Sequence, residues 1–509
     1  MQKISLHNTL LILLLTSKVM TIDGNAQNII EQKIIPNDGA AEDYFGTTVS
    51  ISGDYAIIGS PLDDDRGRES GSAYIYKRSG NTWIQYQKLT ASDGKRDARF
   101  GTSVSIDGDY AIVGAMYDSV GGEPSVGSAY VFKRLENNWI QYQKLIASDG
   151  DRGDDFGYAV SIKGRNIIVG ADNDEGNGQL HVGSAYIYSL RDTTWIEQAK
   201  IQAKDGSKYD KFGHSVAITL GYAVVGAYMD SASATYSGSA YIFKQINNTW
   251  IEQQKLIARD GIEGQIFGIE VFIDTLNAII GASGDIYADY PGAVYVYRRY
   301  DSVWVEEQKL VAGNGNGVDY FGLAVSKSND YIVVGAPGTK INGNYEVGAT
   351  YIFKYDFNGW SQYRKILASD GGARDWFGTS VSLSEGNILV GSTDSPRGLR
   401  SGAAYIYRDW VVGVETVSVQ IPVNYFLAQN YPNPFNASTI IRYQLREKSF
   451  VSLKVYDVLG NEVITLLNEE KGAGIYAMEF ESNSISSGIY VYRLVTQEFS
   501  DSKKFVFLK

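Results

Sequence analysis

The chain has 509 residues, roughly three times the length expected for one average domain, so it holds several domains or one large repeat array. No cysteine excludes disulfides, thiolate metal sites and a cysteine nucleophile, and a formal charge of -12 argues against nucleic acid, which needs a basic footprint. Abundant Gly (55), Tyr (37) and Phe (19) against 9 Pro and 5 Met favour turn-rich, aromatic-rich β structure over a helical bundle.

Residues 1–26 combine Lys3, the apolar run Leu10–Leu15 and a polar end with small residues at Gly24 and Ala26. This is the pattern of a secretory leader, and six apolar residues fall far short of the roughly 20 that span a bilayer. No later stretch is long or apolar enough to span either. The mature chain is expected to begin near Gln27.

Phe-Gly then recurs at Phe45, Phe100, Phe156, Phe212, Phe267, Phe321 and Phe377, at intervals of 54 to 56 residues. After each comes an apolar strand, a short turn and a second strand ending in Gly, from Gly59 to Gly391. A third strand opens on Gly, as in Gly71-Ser-Ala-Tyr-Ile-Tyr76, and a fourth carries Trp and Lys, as in Trp83 to Leu89. Four short strands per period read as one antiparallel sheet, and seven such sheets arranged radially make an all-β, seven-bladed β-propeller over residues 27–410.

The ends of the array predict how the ring closes. The seventh repeat stops near Arg408 without its Trp-and-Lys strand, while Ile29 to Ile35, before the first Phe-Gly, carries the Glu-Gln-Lys pattern with Asn28 where other copies have Trp. The amino-terminal strand should therefore complete the last blade.

Phe321-Gly322 followed by Gly335-Ala336-Pro337 resembles the FG-GAP repeat of integrin α-chain propellers and their bacterial relatives. The resemblance covers residues 28–410 and implies a secreted or surface-exposed binding or adhesion module. Many repeats of that family place an Asp-rich calcium loop between the first two strands. The equivalent segments of this chain, such as Ser52 to Tyr55 and Lys163 to Asn166, are tight turns with too few carboxylates for an ion that wants six to eight oxygens.

After Trp410 the repeat ends. Residues 411–424 read as a linker, and alternating apolar strands from Tyr425 onward predict a small immunoglobulin-like β-sandwich over residues 425–509. Asn430-Tyr-Pro-Asn-Pro-Phe435, Val455 to Gly460, Ser486 to Leu494 and the terminal Lys503 to Lys509 resemble, in that order, the type A sorting domain of type IX secretion cargo in Bacteroidota. The resemblance implies recognition by that secretion machinery and delivery beyond the outer membrane, to the cell surface or the medium.

In a four-stranded blade the second-to-third connection and the blade-to-blade connection open on the same face. These fourteen loops hold 30 acidic and 14 basic residues, whereas the rest of residues 28–410 holds 17 acidic and 21 basic. The loop-bearing face is thus expected to be strongly negative and suited to gathering cations or a cationic partner. Two loops offer several oxygens around a flexible turn, as calcium requires: Asp63 and Asp65 with Glu69, and Asp172, Asp174 and Asn177. His181 and His214 are the only histidines outside the leader, and neither has a second His nearby in sequence, so each is expected to be a surface or packing residue.

Phosphate loops, nucleophile elbows, zinc motifs and dinucleotide fingerprints are absent, and no repeat is interrupted by a long insertion. A binding module for an extracellular protein or glycan is the first expectation. A carbohydrate-active hydrolase or lyase using loop carboxylates is the second, on analogy of fold alone.

Overall fold

The computed structural model describes residues 18–19, 29–175, 178–284, 290–300, 302–313, 318–356, 359–394, 400–408, 424–430, 433–435, 438–481 and 485–508. The leader expected at residues 1–26 lies outside them except for Lys18 and Val19, and so does the linker at 411–423.

Seven antiparallel sheets follow one another along the chain, six with their four strands in sequence order and the seventh completed by strands from the amino terminus. In the first blade these are Val49–Ser52, Tyr55–Ser60, Ser72–Ser79 and Thr82–Leu89. The two middle strands face a neighbouring blade on both sides, which explains why Tyr55–Ser60 is buried along its whole length and reads as a continuous apolar run.

The core accordingly lies between blades. Tyr55, Ile57 and Ile75 of the first blade pack with Phe100, Val113, Tyr130 and Trp139 of the second. The Phe of every Phe-Gly meets, edge to face, the Tyr of its own third strand, from Phe45–Tyr74 at 5.4 Å to Phe377–Tyr405 at 5.4 Å. All six Trp of the repeat are buried, as expected of packing residues.

The glycines of the repeat mark close approach of neighbouring blades. Gly71, at φ +80°, pairs with Phe100 across the blade boundary, and a Cβ on it would sit 2.0 Å from the Phe100 carbonyl oxygen. The same contact recurs in every blade, so no side chain larger than hydrogen fits.

The innermost strands present free edges to a central channel, and their N–H groups need partners. Serines of the preceding blade supply several: the amides of Ile106, Ile162 and Leu383 donate to the hydroxyls of Ser50, Ser105 and Ser326 at 3.1, 3.2 and 3.0 Å.

The ring closes as the sequence predicted. Ile30–Ile34 pairs antiparallel with Ala403–Arg408, with Ile30 opposite Arg408 and Ile34 opposite Ala404. Lys18–Val19 pairs with its outer side. One detail differs from the expected alignment. The internal fourth strands carry a one-residue bulge, Tyr86 in the first blade, whereas the amino-terminal strand has none. Glu31 therefore occupies the place of Gln85, accepting from Tyr407 at 3.0 Å, and Ile29 rather than Asn28 packs where the others have Trp.

The carboxyl-terminal unit is a sandwich of a three-stranded sheet, Phe426–Leu427, Ser438–Leu445 and Gly474–Glu481, and a four-stranded one, Glu462–Lys471, Ser449–Tyr456, Gly488–Val495 and Ser500–Phe507. Phe435 from the Asn-Pro-Phe segment enters its core beside Phe480, Phe505 and Phe507.

Gly127→Ala should destabilise the propeller by more than about 3 kcal/mol, read as a lowered urea midpoint, because the Phe156 carbonyl backbone cannot retreat. Deleting residues 30–34 should lower the melting temperature and cause self-association in light scattering, since it bares the edge of the last blade.

Candidate functional site

The loop-bearing face is built on a repeated polar cluster. The Tyr of each third strand points its hydroxyl toward this face, above the Phe of Phe-Gly. In the third blade Tyr186 donates to Asp174 at 2.7 Å or to Asp149 at 2.8 Å, and Lys200 of the fourth strand bonds the same two carboxylates at 2.7 and 2.8 Å. Asp149 comes from the inter-blade Asp-Gly turn and Asp174 from the second-to-third loop, so one Lys ties both loops to the blade.

The pattern repeats with Lys144 on Asp93 and Asp118, and with Lys255 on Asp205 and Asp230. Lys33 and Lys309 hold Asp370 and Asp260 in the same way. At the sixth blade the sequence has Asn314 and Thr339 in place of the two Asp, and Lys365 lies over the Tyr351 ring at 5.0 Å. The Asp-Gly turns are therefore more than local turn formers.

Burial acts on these groups in opposite directions. Asp149, Asp93 and Asp205 are penalised by burial, but the hydrogen bonds and charge of their Lys partners outweigh it and hold them below the usual carboxylate range. A second set, two residues before Phe-Gly, has only a backbone amide for company: Asp43, Asp154 and Asp210 accept from the amides of Ala40, Asp151 and Ser207 at 2.6 Å each. Burial pushes all three up to about 6. Asp155 is pushed up to about 7, by burial first and by the charge of Asp172.

These contacts place the residues singled out for calcium. Asp63 accepts from Tyr74 at 2.9 Å and from Lys88 at 2.8 Å, and Asp65 and Asp38 bond the same Lys88 at 2.5 and 2.7 Å. Carboxylate oxygens of Asp38, Asp63 and Asp65 lie within 4.8 Å of one another, but the Lys88 ammonium sits among them. A metal ion would have to displace that ammonium, so the donor set as arranged fits a lysine and not calcium. Glu69 is turned away to a bidentate contact with Arg99 at 2.9 and 3.2 Å. In the other loop Asp174 is held by Tyr186 and Lys200, Asp172 faces His214, and Asn177 lies outside the described residues.

The histidines part company. His181 stacks on Tyr209 at 5.5 Å, as a packing residue does. His214 was also expected to be isolated, yet its Nδ1 lies 3.0 Å from Asp172 Oδ2, and its ring sits between Tyr158 at 4.7 Å and Tyr228 at 4.2 Å. It lines a chamber of about 400 Å³ where the central channel opens toward the loop-bearing face, together with Ser103, Met116, Tyr158 and Glu270. Glu270, pushed up to about 8 by burial, also lines the lower chamber of the channel.

Sequence reasoning missed two recurring acids. Asp lies four residues beyond the Gly that ends the second strand, at Asp63, Asp118, Asp174 and Asp230, and two residues before Phe-Gly at Asp43, Asp154, Asp210, Asp319 and Asp375. Aligning the repeats on their glycines would have exposed both columns.

A closed ring of seven antiparallel blades with all its long loops on one face, followed by a β-sandwich, defines a secreted-type repeat propeller with an accessory module. The FG-GAP repeat profile matches residues 30–76, 83–132, 139–188, 195–243, 250–297, 304–353 and 360–407, and the chain belongs to the FG-GAP repeat family. Residues 429–508 match the secretion system C-terminal sorting domain. Human integrin alpha-11 is 29% identical over 157 residues, covering 28% of this chain and 12% of that protein's length. The sorting domain makes the chain cargo of type IX secretion, exported to the cell surface or beyond it. No helix among the described residues is long and apolar enough to cross a membrane.

Lys200→Met should lower the melting temperature by several degrees, because it leaves Asp149 and Asp174 facing each other across Tyr186 without their cation. For the whole propeller, the raised acids keep protons in the folded state that the unfolded chain releases above its ordinary pKa near 3.8. Their contribution is greatest at low pH and is lost as pH rises through about 6, and through about 8 for Glu270. The Lys-paired acids act oppositely, losing their contribution only as pH falls through the region below 3.8. Thermal melts should therefore peak at about pH 4 and fall as pH rises through 6 toward 8.

Proposed function

We propose that the propeller is a binding or adhesion module that takes an extracellular protein or glycan on its loop-bearing face. In this reading residues 1–26 are removed as a leader, residues 27–410 form the propeller, and residues 411–424 join it to the sorting module at 425–509. The observation that supports it best is the division of labour among the loop acids. Those that recur from blade to blade are spent on the frame, as Asp149 and Asp174 are on Lys200. Several non-recurring ones, such as Asp64, Glu123 and Asp151, are exposed and differ from blade to blade. A rigid frame carrying variable exposed loops is the arrangement in which recognition residues are found.

The face is also less negative than loop counting indicates. The fourth-strand lysines belong to strands but deliver their charge among the loops, at Lys33, Lys88, Lys144, Lys200, Lys255 and Lys309. Long-range capture of cations is weakened accordingly, and local contacts gain in importance.

Hydrolysis by paired carboxylates is the less favoured reading. Among the described residues the upper chamber is lined by a single carboxylate, Glu270, and the lower one adds Asp107 and Asp274, engaged by Lys163 and Lys327 at 2.7 Å each. Charge reversal of Asp64, Glu123 and Asp151 together should weaken adhesion of the purified protein to its host matrix or cell surface by tenfold or more. Reversal of Asp54 and Asp109 in the turns of the opposite face should leave it unchanged. Equal effects would count against the proposal, and turnover of a polysaccharide abolished by one carboxylate substitution would favour the enzyme.

A further inference from the structure

Seven-fold repetition makes departures from the pattern informative, and the channel wall departs from it on one side. Two residues after Phe stand Thr47, Thr102, Tyr158, His214, Ile269, Leu323 and Thr379; one residue later stand Thr48, Ser103, Ala159, Ser215, Glu270, Ala324 and Ser380. The three Thr of the first set spend their hydroxyls on the frame, donating to the carbonyls of Tyr44, Arg99 and Trp376 at 2.7 Å each. Ser215 and Ser380 likewise donate to Gly268 and Gly46 at 2.8 and 2.9 Å. Tyr158, His214 and Glu270, from three consecutive blades, replace these frame-building hydroxyls.

What these residues do instead is set by their surroundings. Asp172 fixes the His214 ring through Nδ1 at 3.0 Å, which leaves Nε2 without a protein partner among the described residues. An Asp in that loop position is itself a departure, since the corresponding residues of the first and second blades are Pro61 and Met116. Glu270 lines the same chamber as His214, and its side chain has no hydrogen-bond partner among the described residues.

We propose that the upper chamber of the central channel binds the terminal sugar of an uncharged glycan, with the Tyr158 ring as platform and His214 Nε2 and Glu270 as hydrogen-bonding groups. This names the ligand class for the loop-bearing face and rests on the reading of that face as the binding face. Size supports it: about 400 Å³ is at the small end of ligand pockets, enough for one or two sugar rings and too little for a folded loop.

Charge supports it as well. A cationic ligand needs an ionised carboxylate, but Asp172 is held by His214, and burial pushes Glu270 up to about 8, toward its neutral form. An anionic ligand needs a fixed cation, and no Lys or Arg among the described residues lines the chamber. A neutral polyol offers both donors and acceptors, as the wall does, and apolar ring faces that match Tyr158, Met116 and Leu323.

Saturation-transfer NMR on the full chain tests it, with methyl glycosides of glucose, galactose, mannose and N-acetylglucosamine as probes and glucosamine and sialic acid as charged controls. At least one neutral glycoside should bind, and affinity should drop tenfold or more in His214→Ala and Glu270→Ala while both variants remain folded at the assay temperature. Glu270→Gln, which keeps an uncharged hydrogen-bonding group, should retain binding within about threefold. If Glu270→Gln abolishes binding, or if glucosamine or sialic acid outcompetes every neutral probe, the chamber recognises charge and the proposal is overturned. It is equally overturned if no glycoside binds at millimolar concentration or if both Ala variants bind normally. Adhesion that survives without glycoside binding would defeat this inference alone, whereas adhesion insensitive to loop charge would defeat the broader reading.

Discussion

Neighbouring blades approach backbone to backbone, and the rest of the propeller depends on that contact. A Cβ on Gly59 would lie 2.1 Å from the Gly101 carbonyl oxygen, and one on Gly71 would lie 2.0 Å from that of Phe100. Side chains are excluded at the seam, so the sheets come close enough for Phe and Tyr to fill the wedge beside it. The repeat is recognisable in sequence because this steric demand falls on the same residues in every blade.

The seam also determines how the face above it is built. Phe100 packs edge to face on Tyr130 at 5.4 Å, and the same Tyr carries its hydroxyl up to Asp93 and Asp118. One aromatic side chain thus spans the apolar wedge and the polar cluster, and Lys144 closes the cluster from the neighbouring strand. Loops held by partly buried ion pairs of this kind are anchored at their bases, which leaves only their tips free to vary. An ammonium supplies the positive charge among these carboxylates, and it arrives with the chain.

Export is carried by a unit separate from the propeller. The sandwich has its own core around Phe435, Phe480 and Phe505, and its sorting function is a property of that module. The propeller is regular enough that its few asymmetries stand out, and they gather where the third, fourth and fifth blades meet the channel.

Period, strand order, ring closure and the sorting module were legible in the sequence, because each depends on local alternation or on glycine spacing repeated seven times. The bulge was not legible, since an extra residue in an edge strand leaves the Trp and Lys motifs intact; only the pairing of Gln85 and Gln87 with Tyr76 and Ile75 reveals that Tyr86 is skipped. The charge of the loop face was misread for a related reason: Lys200 is counted with its strand, but its ammonium ends among loop carboxylates. His214 and Asp172 are 42 residues apart and belong to different blades, so nothing local connects them. Local pattern fixes which residues form strands, whereas the radial packing of blades decides which side chains share the mouth of the channel.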